Sequence, residues 1–259
     1  MTLKLLTVIL LSTMAAFGQS RIELPAVGFF HDGRGALRLL VGVRANFLVG
    51  DAVATGIISA ASSGRRVLAK TSGEVLILDP QGRIRHRQAA PEGEAIFGFT
   101  EDGAPAAAWL PRTSELYYWR TSRWQAVPRA VEREGEQIVA LAGDRGRLVL
   151  VVRDPDNMYW LREISLPSGW VRFQSPLPDV SEPLLLLPGR LILFACGKRL
   201  AIRDEDGADN ESMLSAPLIH LEQMGRRWAH GTCAGGGAGV AIRISEARLQ
   251  CYRLPEVPQ

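Results

Sequence analysis

Shortage is the first thing this sequence offers. Its 259 residues hold only three cysteines and four histidines. A small scaffold stapled by disulfides needs many paired cysteines, whereas three leave at most one bridge and one thiol over. Cys196 and Cys233 fall seven and eight residues after the turn glycines Gly189 and Gly225, so a bridge between them and three separate buried thiols both stay open. Among the histidines, only His230 has a metal-like spacing, to Cys233; His31, His86 and His220 supply no second pair. Two ligands do not complete a tetrahedral zinc site, so neither metal nor cofactor is expected. Charge of one sign is missing too. Thirty basic against 27 acidic side chains leave a net +3, with the arginines scattered, which argues against a nucleic-acid partner. After residue 18, glycine, proline or strand-like alternation breaks every window long enough for an amphipathic helix, and no Gly-x-Ser-x-Gly elbow marks a nucleophile.

The one long apolar run is at the beginning. Lys4 precedes Leu5 to Ala15, and Ala16-Phe17-Gly18 put small residues where a signal peptidase cuts, before Gln19. The run is shorter than the roughly 20 residues a membrane span needs. Residues 1–18 therefore read as a signal peptide and 19–259 as one mature domain, secreted or periplasmic, monomeric, with no membrane contact after cleavage.

Turn glycines organise the rest. Apolar runs of strand length end at Gly64, Gly103, Gly146, Gly189 and Gly225, roughly 36 to 43 residues apart, a period that marks repeated units. Further turns cut each unit into four short strands. In the first these run Ile57 to Ala61, Arg66 to Lys70, Glu74 to Leu78 and Ile84 to Gln88. The expected class is all-β: a β-propeller of five to six four-stranded blades. The hairpin Val27 to Leu40, turning at His31-Asp32-Gly33-Arg34-Gly35, is expected to close the ring by pairing with the last blade, Leu218 to Leu254. The count is five if it extends that blade and six if it stands alone.

The repeat period, the four-strand units and the export signal resemble bacterial secreted β-propellers of the YVTN and WD40-like kind. Val27-Gly28-Phe29-Phe30 with Ala36-Leu37-Arg38 and Val41-Gly42 is similar to the opening of one group of these. No Trp-Asp dipeptide closes a blade and no Tyr-Val-Thr-Asn tetrad occurs, so the resemblance implies a fold and no activity.

Four of the five turn glycines are followed at once by arginine: Arg65, Arg147, Arg190 and Arg226. Corners of one type share one face of a propeller, so these are the candidate ligand-binding residues, a cationic rim for an anionic ligand; the alternative is that they cap carbonyls and keep strand starts soluble. The acidic stretch Asp204 to Glu211 has its glycine at position 4, where a calcium loop wants it at 6, and reads as a hairpin turn. Gly235 to Gly239 precedes an alternating strand, Val240 to Ile244, and reads as a turn, not a phosphate cradle. The aromatics Trp109, Tyr117, Tyr118, Trp119, Trp124, Tyr159, Trp160 and Trp170 are expected to pack between blades rather than stack on a ligand. No catalytic residue can be assigned. The reading favoured is a non-enzymatic binding or scaffold module for a protein or glycan; the alternative is a hydrolase or lyase with its site at the mouth of the central channel.

Overall fold

A computed structural model describes residues 25–43, 46–128, 133–144, 146–204, 207, 209–235, 239–245 and 248–255. The signal-peptide expectation lies outside them. The strands are β1 (Ala26–His31), β2 (Ala36–Val43) and β3 (Asn46–Thr55); β4 (Ser59–Ser62), β5 (Val67–Lys70), β6 (Glu74–Leu78) and β7 (Ile84–Ala89); β8 (Ile96–Phe99), β9 (Pro105–Leu110), β10 (Glu115–Arg120) and β11 (Arg123–Ala126). Then come β12 (Gln137–Asp144), β13 (Arg147–Arg153), β14 (Tyr159–Ser165) and β15 (Val171–Pro176); β16 (Leu184–Leu187), β17 (Leu191–Cys196), β18 (Arg199–Arg203) and β19 (Asp209–Met213); β20 (Leu218–Gly225), β21 (Trp228–Cys233), β22 (Val240–Ser245) and β23 (Arg248–Arg253). No helix occurs among the described residues. They form one three-stranded and five four-stranded antiparallel sheets, each contiguous in sequence, giving a propeller of six blades.

Turn chemistry fixes these boundaries. Three turns repeat one arrangement in which an aspartate organises six following residues. Asp32 accepts the amides of Arg34 and Ala36 and the Arg38 side chain. Asp79 does the same for Gln81, Arg83 and Arg85, and Asp154 for Asp156, Met158 and the Trp160 indole. A residue with positive φ sits three places on, at Gly35, Gly82 and Asn157, as such a tight reversal demands. Burial opposes ionisation of Asp32 and Asp79, but the hydrogen bonds and arginines outweigh it; at Asp154 the Trp160 and Met158 donors dominate; all three carboxyls titrate below the usual aspartate value.

No single core exists. Six apolar clusters fill the six interfaces between neighbouring blades. Successive residues of a strand face opposite ways, so Phe29 packs toward the second blade and Phe30 toward the sixth. Trp109 and Tyr118 lie between the third and fourth blades and Trp124 between the second and third, as expected for core aromatics. Trp170, just before outer strand β15, departs from that expectation at 64% exposed.

The first hairpin does not join the last blade. With β3, which the sequence reading left out, it makes a sheet of its own. The ring closes without strand exchange, by packing β1 between β20 and β4. Phe30, Leu40 and Phe47 meet Met224, Ala241 and Leu254 there, and a Cβ on Gly28 would overlap the Met224 carbonyl oxygen. Each large apolar side chain contributes about 1.5–3 kcal/mol, against about 1 kcal/mol net for a hydrogen bond, so apolar packing dominates the seam.

Two outcomes are expected. Gly28→Val forces the first and last blades apart and lowers stability by about 1–3 kcal/mol or more, as overpacking does, read from the urea midpoint; an unchanged midpoint would show that the backbones do not approach as described. The aspartate turns set an acid limb. A depressed native pKa means that the folded state binds fewer protons than the unfolded chain, so the stabilisation is complete above the ordinary value of 3.8 and is lost as pH falls below it. Asp79→Asn keeps an acceptor for the turn amides but flattens this loss, measured by denaturation between pH 7 and pH 2.

Candidate binding site

The inner strands β4, β8, β12, β16 and β20 surround a central channel of about 520 Å³. β1 does not line it. β4 and β20 come into contact with each other in front of β1, which is drawn back from the axis. The walls are apolar, from Ala60, Phe97, Ala140 and Leu185 among others. Glu94, Glu182, Ile219 and His220 are at the mouth where inner strands begin. Glu182 pairs with Arg153 at 3.0 Å and accepts from the Tyr159 hydroxyl, and Ile219 is largely exposed.

At the other mouth a cleft of about 240 Å³ is lined by residues at and beyond the ends of the inner strands, among them Ser63, Glu101, Gln223, Arg226 and Arg227. This is the face of the Gly-Arg corners, and the structure divides the four candidates. Arg147 and Arg190 converge on buried Glu163, Arg147 at 3.0 Å, linking the fourth and fifth blades. Arg65 lies near Asp102, whose carboxyl is held below the usual range by the Thr100 hydroxyl and the Ala104 amide, with a smaller effect from Arg65. Arg226 projects into the cleft wall, exposed. Sequence reasoning found these corners by their period but missed Arg227, because the doublet Arg226-Arg227 was read as one corner residue and a strand start.

Three buried ionic groups lie elsewhere. Arg162 makes a bidentate pair with Glu136, both bonds 2.9 Å, with side chains only 2% and 3% exposed; removing either partner leaves a buried charge, at a cost of about 3–5 kcal/mol. Lys70, beside the start of β4, donates to the carbonyls of Thr71 (2.6 Å) and Ser72; burial pushes its amine down, against the pull of Glu92. Glu222 in the channel wall accepts the His31 amide at 2.9 Å and contacts His230 Nδ1 at 2.8 Å through the same oxygen, while Oε2 has no hydrogen-bond partner.

This last contact explains the His230 spacing. The imidazole is held by Glu222 across the β20–β21 ladder, and among the described residues no three of His, Cys, Asp and Glu gather to hold a metal. Cys196, Cys233 and Cys251 are free thiols, and burial raises the last two above the ordinary value. Asp204 and Gly207 repeat the spacing of the Asp32 and Asp79 turns, with the Gly207 amide bonded to the Asp204 carbonyl; residues 205, 206 and 208 of the acidic stretch lie outside the described ones. Gly235 and Gly239 fall between strands β21 and β22, with 236–238 likewise outside.

No protein-family profile and no curated protein sequence matches the chain. Solved structures do. The β-propeller domain of Cps50 (Swd1) from Myceliophteria thermophila superposes with a TM-score of 0.49 at 14% identity, covering 93% of this chain and 90% of that one. Apo AztD from Citrobacter koseri gives 0.47 at 11%, covering 90% and 83%. PorZ, a surface component of the type-IX secretion system of Porphyromonas gingivalis, gives 0.46 at 12%, covering 90% of this chain but 39% of that one.

Glu222→Ala is expected to strip a buried acceptor from the His31 amide, costing about 1–3 kcal/mol, and to speed hydrogen exchange at that amide. Glu222→Gln keeps an acceptor oxygen and restores most of the protection. Equal exchange in both variants would show that the seam does not rely on this bond.

Proposed function

We propose that the chain is a secreted bacterial propeller of the YVTN-like kind that serves as a monomeric binding module for a protein or glycan, engaged at the mouth where the inner strands end. One observation carries the reading: an apolar channel opens there onto a cleft whose Arg226 and Arg227 have no ion-pair partner among the described residues. Exposed cations kept apart from counter-ions attract an anionic surface and steer its approach. Arg65 and Arg226 are the contact residues of the four corners. Arg147 and Arg190 support the face through Glu163.

A second reading, a hydrolase or lyase at the opposite mouth, draws on Glu94, Glu182 and His220 lining one cavity. General acid and base work needs such groups free to move protons, and Glu182 is engaged by Arg153 and Tyr159.

One experiment separates the two. Exported protein, whose amino terminus should read Gln19 by mass spectrometry, is immobilised and offered secreted proteins and a glycan array. A specific partner should be retained by wild type and by Glu94→Gln/His220→Ala, and lost on Arg226→Glu/Arg227→Glu. Turnover of ester or glycoside substrates that disappears in Glu94→Gln/His220→Ala would establish the enzyme instead.

A further inference from the structure

The tripeptide Gly-Arg-Arg occurs twice, as Gly64-Arg65-Arg66 and Gly225-Arg226-Arg227. The first follows inner strand β4, and the second begins on the last residue of inner strand β20. These strands belong to the second and sixth blades, and a fully inserted first blade would hold them apart. Because β1 is drawn back, they touch. Their end turns touch as well: a Cβ on Gly64 would lie 3.9 Å from the Arg226 amide nitrogen. Four arginines, all exposed, therefore share one stretch of rim.

The four guanidinium groups outnumber the two carboxylates of the neighbouring turn, Glu101 and Asp102. Asp102, near Arg65, also accepts from the Thr100 hydroxyl and the Ala104 amide, and Glu101 lines the same cleft as Arg226 and Arg227. Arg66 donates to the Arg65 carbonyl at 3.1 Å, and Arg226 and Arg227 make no ion pair among the described residues. Ser63 is pinned at the edge: its hydroxyl donates to the Gly103 carbonyl at 2.7 Å and accepts the amides of Arg65 and Arg66, so the first turn is rigid and its guanidinium groups are presented from a fixed base.

We propose that the two Gly-Arg-Arg turns together form a site for a multiply charged oxyanion, a phosphate or sulfate group, seated over the cleft at the end of the channel. The proposal rests on the binding-module reading and names the chemistry of its ligand. A guanidinium offers two parallel N–H donors that match a tetrahedral oxyanion, and such charge-assisted forks are stronger and more selective than contacts to a point charge. Like charges crowded on one rim repel one another, and a dianion between the turns removes that repulsion. A monovalent anion satisfies one fork only, so affinity should rise steeply with ligand charge.

The test titrates the isolated full-length mature protein with inorganic phosphate, sulfate and pyrophosphate against sodium chloride at matched ionic strength, following heat of binding and thermal unfolding. Saturable binding is expected, tightest for pyrophosphate. Arg226→Gln/Arg227→Gln and Arg65→Gln/Arg66→Gln should each weaken it at least tenfold with unchanged circular dichroism, while Arg172→Gln, on outer strand β15, leaves it unaltered. Binding that fails to saturate, matches chloride, or survives either double substitution overturns the two-turn site. So does equal binding of a hexaglutamate peptide, which would make the rim a general surface for acidic chains. No partner protein is present, so a negative result here leaves the partner-capture outcome standing on its own.

Discussion

The backbone contact between the first and last blades is the constraint on which the ring depends. Each sheet is continuous in sequence, so among the described residues no strand from one end is woven into a sheet of the other. What joins the ends is proximity: Gly28 and Gly225 leave out the side chains that would keep β1 and β20 apart, and the apolar cluster around Phe30 and Met224 then closes. Glycine is required here for the space its missing Cβ vacates. The same demand recurs at Gly98, where a Cβ would strike Leu141 on β12.

Setting β1 back has a second effect, on chemistry. A propeller of six equal blades would line its channel with six strands, whereas this one has five and lets two non-adjacent blades meet. Two turns that share the tripeptide Gly-Arg-Arg, which a regular ring would separate, become neighbours. An irregularity forced by close packing at one point thereby concentrates charge at another, and neither Gly-Arg-Arg turn is unusual by itself.

Much of the fold could be read from the sequence because turn residues and strand alternation are local signals. Glu74–Leu78, Leu184–Leu187 and Arg199–Arg203 fall where short apolar runs and the flanking turns put them. β3 escaped for a local reason: Gly50-Asp51 in its middle reads as a turn, and its side chains are mostly exposed or half-buried, so no apolar stripe marks it. Closure of the ring was misplaced because a hairpin next to a free edge suggests pairing, while the contact that decides the matter is a missing Cβ facing a carbonyl 196 residues away. The candidate rim was half legible. Its period showed in the glycines, but the capture of Arg147 and Arg190 by Glu163 joins residues 16 and 27 apart in sequence, one of them across a blade interface, and no pattern in a single sequence announces such a partner.

Contiguous blades also order events in time. Every ladder among the described residues joins strands adjacent in the chain, so each blade can form as soon as its own residues are available, at the small loop-closure cost of short turns. The seam is the exception. Its bond from the His31 amide to Glu222 spans 191 residues and cannot exist until the sixth blade does. Until then the first blade carries Phe30 and Leu40 on an uncovered face, which makes it the part of the growing chain most in need of protection from premature association.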